Sequence, residues 1–119
     1  MRGFATNIER DTLSNDDFRR VLFTGHHIQL VVMSIPPGGE IGRETHEGHD
    51  QFIRVEAGSG EALMDGQIHP LSDGSAVVIP AGVEHNVTNT SADEPLRLYT
   101  LYSPPEHPED TVQHTPPPA

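Results

Sequence analysis

The sequence predicts an all-β fold in a single domain: a sandwich, a jelly roll or a small barrel with little or no helix. Eleven glycines and eleven prolines among 119 residues favour many short elements joined by tight turns over long helices. About eight β-like runs also follow one another, with turn residues at intervals of roughly eight to twelve positions. A chain of this length can build one modest hydrophobic core.

The β-like runs can be placed individually. Residues 27–35 are rich in β-branched and large apolar side chains and stop at Pro36, which indicates a central strand. Asp65-Gly66 separates two further runs, a pattern typical of a β-hairpin. Ser14–Arg20 is compatible with a single helical turn capped by Ser14. The other predicted strands are 21–25, 50–57, 75–79, 84–90 and 96–102.

Three segments are predicted from composition. Residues 1–15 are polar and form an N-terminal arm or a lead-in strand, and residues 16–102 form the barrel itself. Residues 103–119 are proline-rich, lack an apolar pattern and form an extended C-terminal tail. His107 and His114 belong to this tail and have no predicted role, unless the tail folds over the barrel opening as a lid.

The composition argues against several classes of function. A formal net charge of −11 and a pI near 4.9 disfavour a nucleic-acid surface, because phosphate binding needs a basic patch. The absence of cysteine excludes disulfides and thiolate metal sites. The N-terminus lacks the apolar segment of a signal peptide, and no run approaches the roughly 20 apolar residues of a membrane span. We therefore expect a cytoplasmic protein that binds neither nucleic acid nor membrane.

Four polar side chains are expected to point into the apolar interior. Glu44 and His46 are two residues apart and would project to the same side of an extended chain. Gln51 and His85 each share a predicted strand face with aliphatic residues. Burying such groups is costly unless a partner satisfies them. We predict one divalent metal ion bound by Glu44, His46, Gln51 and His85, and this donor set suits Fe, Mn, Ni or Zn.

Each of these residues has a simpler explanation when it is taken alone. A single histidine in a strand is more often a hydrogen-bonded core or surface residue than a metal ligand. Glu44 could equally be a solvated carboxylate in a polar loop. The coincidence of four donors on predicted inner faces favours the metal site over four separate explanations.

Two motifs resemble those of the cupin superfamily, in particular the small single-domain cupin-2 conserved-barrel proteins. The first motif, G-x5-H-x-H-x3-4-E-x6-G, is met in register at Gly38, Glu44, His46, Gln51 and Gly58. The second motif, G-x5-P-x-G-x2-H-x3-N, is matched in full at Gly74, Pro80, Gly82, His85 and Asn89. The resemblance implies a double-stranded β-helix, the RmlC-like jelly-roll barrel, commonly as a homodimer. The motif glycines are expected at turn positions with positive φ.

The chain departs from the first motif at two positions. Glu44 stands where the usual first histidine would be, and Gln51 stands where the usual glutamate would be. The net charge of the ligand set is the same in both patterns. The substitutions therefore indicate a variant metal site rather than an inactive one.

Glu44 and His49 are the candidate catalytic acid or base groups. His49 could approach the metal as an extra ligand or a proton shuttle, and the alternative is a solvent-facing loop histidine. His69 could line the barrel mouth. Three cations near the motifs could bind an anionic substrate or pair with surface carboxylates: Arg43, Arg54 and Arg97.

Three functions are open at this point. The first is a metal-dependent enzyme of the isomerase, lyase, hydrolase or oxygenase type, acting on a small molecule in the barrel. The second is a non-catalytic barrel that binds or senses a small molecule or a metal. The third is a scaffold with a structural metal, which is disfavoured because such sites usually have four strong nitrogen or sulfur ligands. The enzyme is the preferred interpretation.

Overall fold

The computed structural model describes residues 1–118, within which one short helix and nine strands are found. In chain order these are α1 (Ile8–Ser14), β1 (Arg19–Thr24), β2 (Gln29–Ile35), β3 (Asp50–Ala57), β4 (Gly60–Met64), β5 (Gln67–Leu71), β6 (Ala76–Ile79), β7 (His85–Asn89), β8 (Leu96–Ser103) and β9 (Val112–Gln113). The predicted all-β class is confirmed. No helix of the described part is long and apolar enough to cross a membrane.

The strands form two antiparallel sheets. The larger has six strands in the order β6-β3-β8-β2-β1-β9, and the smaller has three in the order β5-β4-β7. Buried side chains from both sheets share one core, among them Val31, Met33, Ile53, Ala62, Val87 and Leu98. This is the jelly-roll arrangement that the two motifs imply.

Strict alternation along β3 and β8 decides which polar groups enter the interior. In β8, Leu96, Leu98, Thr100 and Tyr102 are buried, whereas the residues between them are more exposed. The register pairs Gln51 of β3 with Tyr102, so Gln51 lies on the inner face. The sequence analysis predicted this direction from the alternation of β3 alone.

The turn signals of the sequence are also found. Asp65 and Gly66 connect β4 to β5 with φ values of 48° and 83°, the left-handed pair that a tight hairpin turn requires. The four motif glycines have positive φ, as expected: Gly38, Gly58, Gly74 and Gly82. At Gly58 a side chain would also place its Cβ 2.7 Å from the carbonyl oxygen of Pro95, so both conformation and space require glycine.

The helix lies earlier than the sequence suggested, and the predicted turn at Ser14–Arg20 is wrong. Helix α1 begins after Asn7, whose side-chain oxygen accepts a hydrogen bond of 2.9 Å from the Arg10 amide. Ser14 is the last helical residue, and Arg19 already belongs to β1. Pairing with β2 and burial of Phe18 and Arg19 favour an extended chain there.

The C-terminal segment follows the barrel surface. Its β9 pairs with β1, and further along His114 Nδ1 lies 2.6 Å from a carboxylate oxygen of Asp17. The segment thus adds an edge strand to the larger sheet. The segment boundaries at residues 15/16 and 102/103 stay predictions.

Candidate metal centre

The backbone brings Glu44 and His85 together. Their main chains exchange two hydrogen bonds, from the Glu44 amide to the His85 carbonyl and back, each of 2.9 Å. One ligand atom from each of Glu44, His46 and His85 then lies within 4.8 Å of the other two. His85, the ligand candidate of the second motif, therefore lies beside Glu44 and His46, two ligand candidates of the first motif.

The turn of the second motif also supports His46. The Gly82 amide donates to the His46 carbonyl at 2.9 Å, and the Ala81 amide donates to the Asp50 side chain at 2.9 Å. Gly82 has a φ of 87°, which few other residues adopt at low cost. The turn that precedes His85 thus holds the loop that carries His46.

The free nitrogen of His46 has the environment of a metal ligand. His46 Nε2 is buried and has no hydrogen-bond partner, although it lies 3.1 Å from a carboxylate oxygen of Glu44. Two ligand atoms that share an ion at bond lengths of about 2.1 Å stand roughly 3.0–3.4 Å apart. The His46–Glu44 spacing fits a shared cation.

Gln51 presents a second unpartnered atom. Its side chain is 4% exposed, and its Nε2 donates to the Thr100 hydroxyl at 3.0 Å. The other end of the amide, Oε1, is buried without a partner. An unsatisfied buried amide oxygen costs free energy, which a cation would recover. Gln51 as a fourth ligand stays a prediction.

The second histidine of the cluster has a defined tautomer. Nδ1 of His85 lies 2.9 Å from the carbonyl oxygen of Val83. Because a carbonyl can only accept, Nδ1 carries the proton and Nε2 has a free lone pair. With the orphaned atoms of His46 and Gln51, this donor set fits a divalent metal ion of the Fe, Mn, Ni or Zn type.

His49 lies beside the cluster and outside the group of three. Its Nε2 is 2.8 Å from a carboxylate oxygen of Glu106, and its Nδ1 is 2.8 Å from the carbonyl oxygen of Pro104. Both ring nitrogens thus face oxygen atoms that can accept a hydrogen bond. This arrangement leaves no free nitrogen for a metal. The predicted role in proton transfer stays a prediction.

Glu106 is a residue near the site that the sequence analysis missed, whereas its neighbour His107 was named only as part of a tail that could fold over the barrel opening. Both are held by Gln29, which is fully buried: its side-chain oxygen accepts from the Glu106 and His107 amides at 3.1 and 3.0 Å. Its Nε2 donates to the His107 carbonyl at 2.8 Å and to the Thr24 hydroxyl at 3.0 Å. The tail thus folds over this end of the barrel, the alternative that the sequence left open.

Burial dominates the electrostatics of this covered end. Desolvation lowers the pKa of His107 to about 4, and Arg19, His46 and His49 add repulsion. The His107 ring meets the ring of Tyr102 edge-on at 5.2 Å, and burial raises the pKa of the Tyr102 phenol. His107 and Tyr102 are therefore held in their neutral forms near pH 7.

The other candidates lie elsewhere. His69 is exposed on β5, and the three arginines each pair with a carboxylate: Arg43 with Glu84, Arg54 with Glu56 and Arg97 with Asp16.

A surface cavity of about 540 Å³ lies on the outer face of the smaller sheet. It is lined by Leu63, Asn86 and Thr88, which alternate with the inward residues of β4 and β7. This cavity includes none of the three clustered residues.

Comparison with known proteins identifies the family. The model of the family Cupin_2, described as a cupin domain, matches residues 31–102. Because this match spans more than half of the chain, the protein belongs to this cupin family.

Three relatives are similar over different shares of the chain. The uncharacterized protein YrkC of Bacillus subtilis is 45% identical in an alignment 118 residues long, which covers 94% of this chain and 63% of that protein. The chain thus spans under two thirds of YrkC. The crystal structure of BH2720 from Bacillus halodurans is 46% identical with a TM-score of 0.93, covering 96% of this chain and 90% of that one. The beta-alanine degradation protein BauB of Pseudomonas aeruginosa is 47% identical over 68 residues, 54% of this chain and 70% of that protein.

Proposed function

We propose that the chain binds one divalent metal ion through Glu44, His46, Gln51 and His85 and acts as a small-molecule metalloenzyme of the isomerase, lyase or oxygenase type. One observation carries the proposal. His46 Nε2 and Gln51 Oε1 are both buried without a hydrogen-bond partner on the inner side of a barrel where Glu44 and His85 also meet. Groups of this kind persist in a fold when a ligand satisfies them.

The chain's own residues define what the centre can do. A bound divalent ion with one carboxylate ligand would retain about one net positive charge and would polarise a substrate oxygen or acidify a water. The Val83 carbonyl orients the His85 ring, and Thr100 orients the Gln51 amide. These partners hold two donors in one direction before any ligand arrives.

Proton transfer falls to Glu44 and His49. The Glu44 side chain is one-third exposed, so one oxygen can bind the ion while the other accepts a proton. His49 Nε2 lies 2.8 Å from a carboxylate oxygen of Glu106, a distance at which the two groups can exchange a proton beside the metal ligands.

Similarity to BauB supports small-molecule chemistry. BauB is described as a beta-alanine degradation protein, and its 68-residue match to this chain has 47% identity. For the present chain we propose only a class of substrate: a small, oxygen-bearing molecule that can reach a metal within the barrel.

A non-catalytic binding or sensing barrel is the second candidate. The C-terminal segment around Glu106 and His107 covers the candidate site, which favours a binding barrel. With this segment in place, His46 Nε2 has almost no contact with solvent. A closed site suits retention of a ligand, whereas turnover requires this segment to move. Product formation is the property that separates the two candidates.

The experiment is a turnover screen on metal-loaded full-length protein. Wild type and His46→Ala are incubated with panels of small hydroxy, keto and amino acids, with and without oxygen, and the mixtures are analysed by mass spectrometry. We expect a product with wild type that is absent with His46→Ala and still present with His26→Ala, a change at an exposed turn. Retention of an unmodified ligand without product would favour the binding barrel instead.

We also propose that the chain forms a homodimer through the outer face of the larger sheet. Cross-strand neighbours form an apolar row across five strands: Val78, Phe52, Leu101, Leu30 and Phe23. Phe4 stacks on Phe23 at 5.4 Å and covers one end, but Val78 at the other end is 65% exposed. A second copy of the chain would cover the exposed end of this apolar row at Val78 and the sheet edge formed by β6.

A further inference from the structure

We propose that Glu106 is a positioning residue of the metal centre, which reaches His46 from the C-terminal segment and orients its ring. The proposal rests on the function proposed above, because it concerns a ligand of that metal. Glu106 belongs to neither cupin motif, and composition places it in a proline-rich tail. Its carboxylate nevertheless lies beside two histidines of the barrel opening.

The geometry matches the way in which metal-binding histidines are usually held. One carboxylate oxygen of Glu106 lies 3.5 Å from Nδ1 of His46, an ion-pair distance longer than a hydrogen bond, and 2.8 Å from Nε2 of His49. Nδ1 is the His46 nitrogen that does not face Glu44. Glu106 favours a proton on Nδ1, whereas Glu44, 3.1 Å from Nε2, favours one on Nε2 while no ion is bound. A carboxylate beside Nδ1 therefore helps to free the Nε2 lone pair for a metal and makes this nitrogen a stronger donor.

Each histidine of the cluster has an oxygen atom facing its Nδ1, at hydrogen-bond distance for His85 and at a longer ion-pair distance for His46. His85 has its Nδ1 fixed by the Val83 carbonyl at 2.9 Å, two residues away in its own turn. His46 has no such local acceptor, and the carboxylate that faces its Nδ1 comes from the C-terminal segment. The C-terminal segment thus places an oxygen atom near Nδ1 of His46, as the turn does for His85.

The placement of Glu106 is itself secured. The buried Gln29 side chain accepts from the amides of Glu106 and His107 and donates to the His107 carbonyl. The Glu106 side chain is only 25% exposed, which limits screening of its charge by solvent. The main chain that carries this carboxylate is therefore attached to β2 by three hydrogen bonds.

The test uses the full chain with Glu106→Ala and Glu106→Gln, and with Glu109→Gln as the matched control. Glu109 is an exposed acid of the same segment. Zn²⁺ and Co²⁺ affinities are measured by titration calorimetry, and the His46 tautomer in metal-free protein is read from ¹⁵N resonances. We expect Glu106→Ala to bind each metal about 10–100-fold more weakly, Glu106→Gln to lie between it and wild type, and Glu109→Gln to match wild type.

The outcomes separate this inference from the proposed function. Equal metal affinities in wild type and both Glu106 variants would overturn the role of Glu106 and leave the metal centre intact. If wild type binds no metal, the proposed function fails, and the ¹⁵N spectra alone decide whether Glu106 orients His46. In that case an unchanged tautomer in Glu106→Ala overturns the inference, and a shift away from Nδ1–H supports it.

Discussion

Glu44 and His85 are joined by a reciprocal pair of main-chain hydrogen bonds, each 2.9 Å long. The pair joins the two motif segments at the point where their side chains converge with that of His46. Because main-chain atoms make this contact, Glu44 is held beside His85 without a bound metal. The fold itself thus sets the backbone of the candidate metal centre.

Gln51 is predicted to be the weakest of the four ligands but a necessary one. Gln51→Leu removes Oε1 and should lower metal affinity by more than tenfold, whereas Thr100→Val only frees the amide to rotate and should cost about tenfold or less. Calorimetric titration with Mn²⁺ and Zn²⁺ measures the metal affinity of both variants. Unchanged affinity in Gln51→Leu would remove Gln51 from the ligand set and leave the three clustered residues.

Gln29 is predicted to hold the C-terminal segment. Gln29→Leu removes four hydrogen bonds and leaves the Glu106 and His107 amides without acceptors, which should lower the free energy of unfolding by about 1–3 kcal/mol. Amide hydrogen exchange over residues 104–118 should become faster. Gln67→Leu, a change at an exposed position of β5, is the control. Equal exchange rates in Gln29→Leu and wild type would show that the segment is held by other contacts.

Acid is predicted to release the same segment. The pKa of His107 is lowered to about 4 in the folded chain, from about 6.5 in an unfolded one. The unfolded state therefore takes up a proton before the folded state does, and stability is lost as the pH falls from about 6.5 to about 4. Nε2 of His107 is buried without a hydrogen-bond partner, so nothing near it offsets the cost of a charged ring.

The measurement for this effect is thermal unfolding of metal-free protein between pH 7 and pH 4. Wild type should lose more stability over this range than His107→Phe, which keeps an aromatic ring against Tyr102 but cannot take up a proton. Parallel curves for the two proteins would contradict the assignment to His107.

The larger sheet is predicted to mediate dimerisation. Val78→Asp places a charge at the open end of the apolar row and should shift the protein towards monomer in light scattering at micromolar concentration. Ile68→Asp is the matched control, because Ile68 is 63% exposed and lies on the smaller sheet. A wild-type monomer, or a dimer unaffected by Val78→Asp, would contradict the proposed interface.

Much of the fold was predictable because its signals are local. Alternation in β3 indicates the inward direction of Gln51, and Asp65-Gly66 marks a hairpin that the structure contains. The helix was misplaced because Ser14 suits an N-cap by residue type, whereas the cap that forms is Asn7. Residue type alone does not distinguish the two when tertiary pairing favours a strand after Ser14.

The tail contacts could not be predicted for a different reason. Glu106 meets His46 and His49 at a place where Gln29, 77 residues earlier in the chain, holds its amide. Hydrophobic periodicity and motif spacing carry no information about such a contact, and a proline-rich composition suggests an extended segment. A buried glutamine on a predicted central strand was the one available signal, since its amide needs partners.

Metal content tests the central claim most directly. Untagged wild type, dialysed against Fe(II), Mn(II), Ni(II) and Zn(II), is analysed by elemental mass spectrometry beside His46→Ala, His85→Ala and the control His26→Ala. We expect near one equivalent in wild type and the control, and a loss of metal in the other two variants with circular dichroism unchanged. No metal in wild type under any of these conditions would contradict the metal centre and leave a metal-free binding barrel.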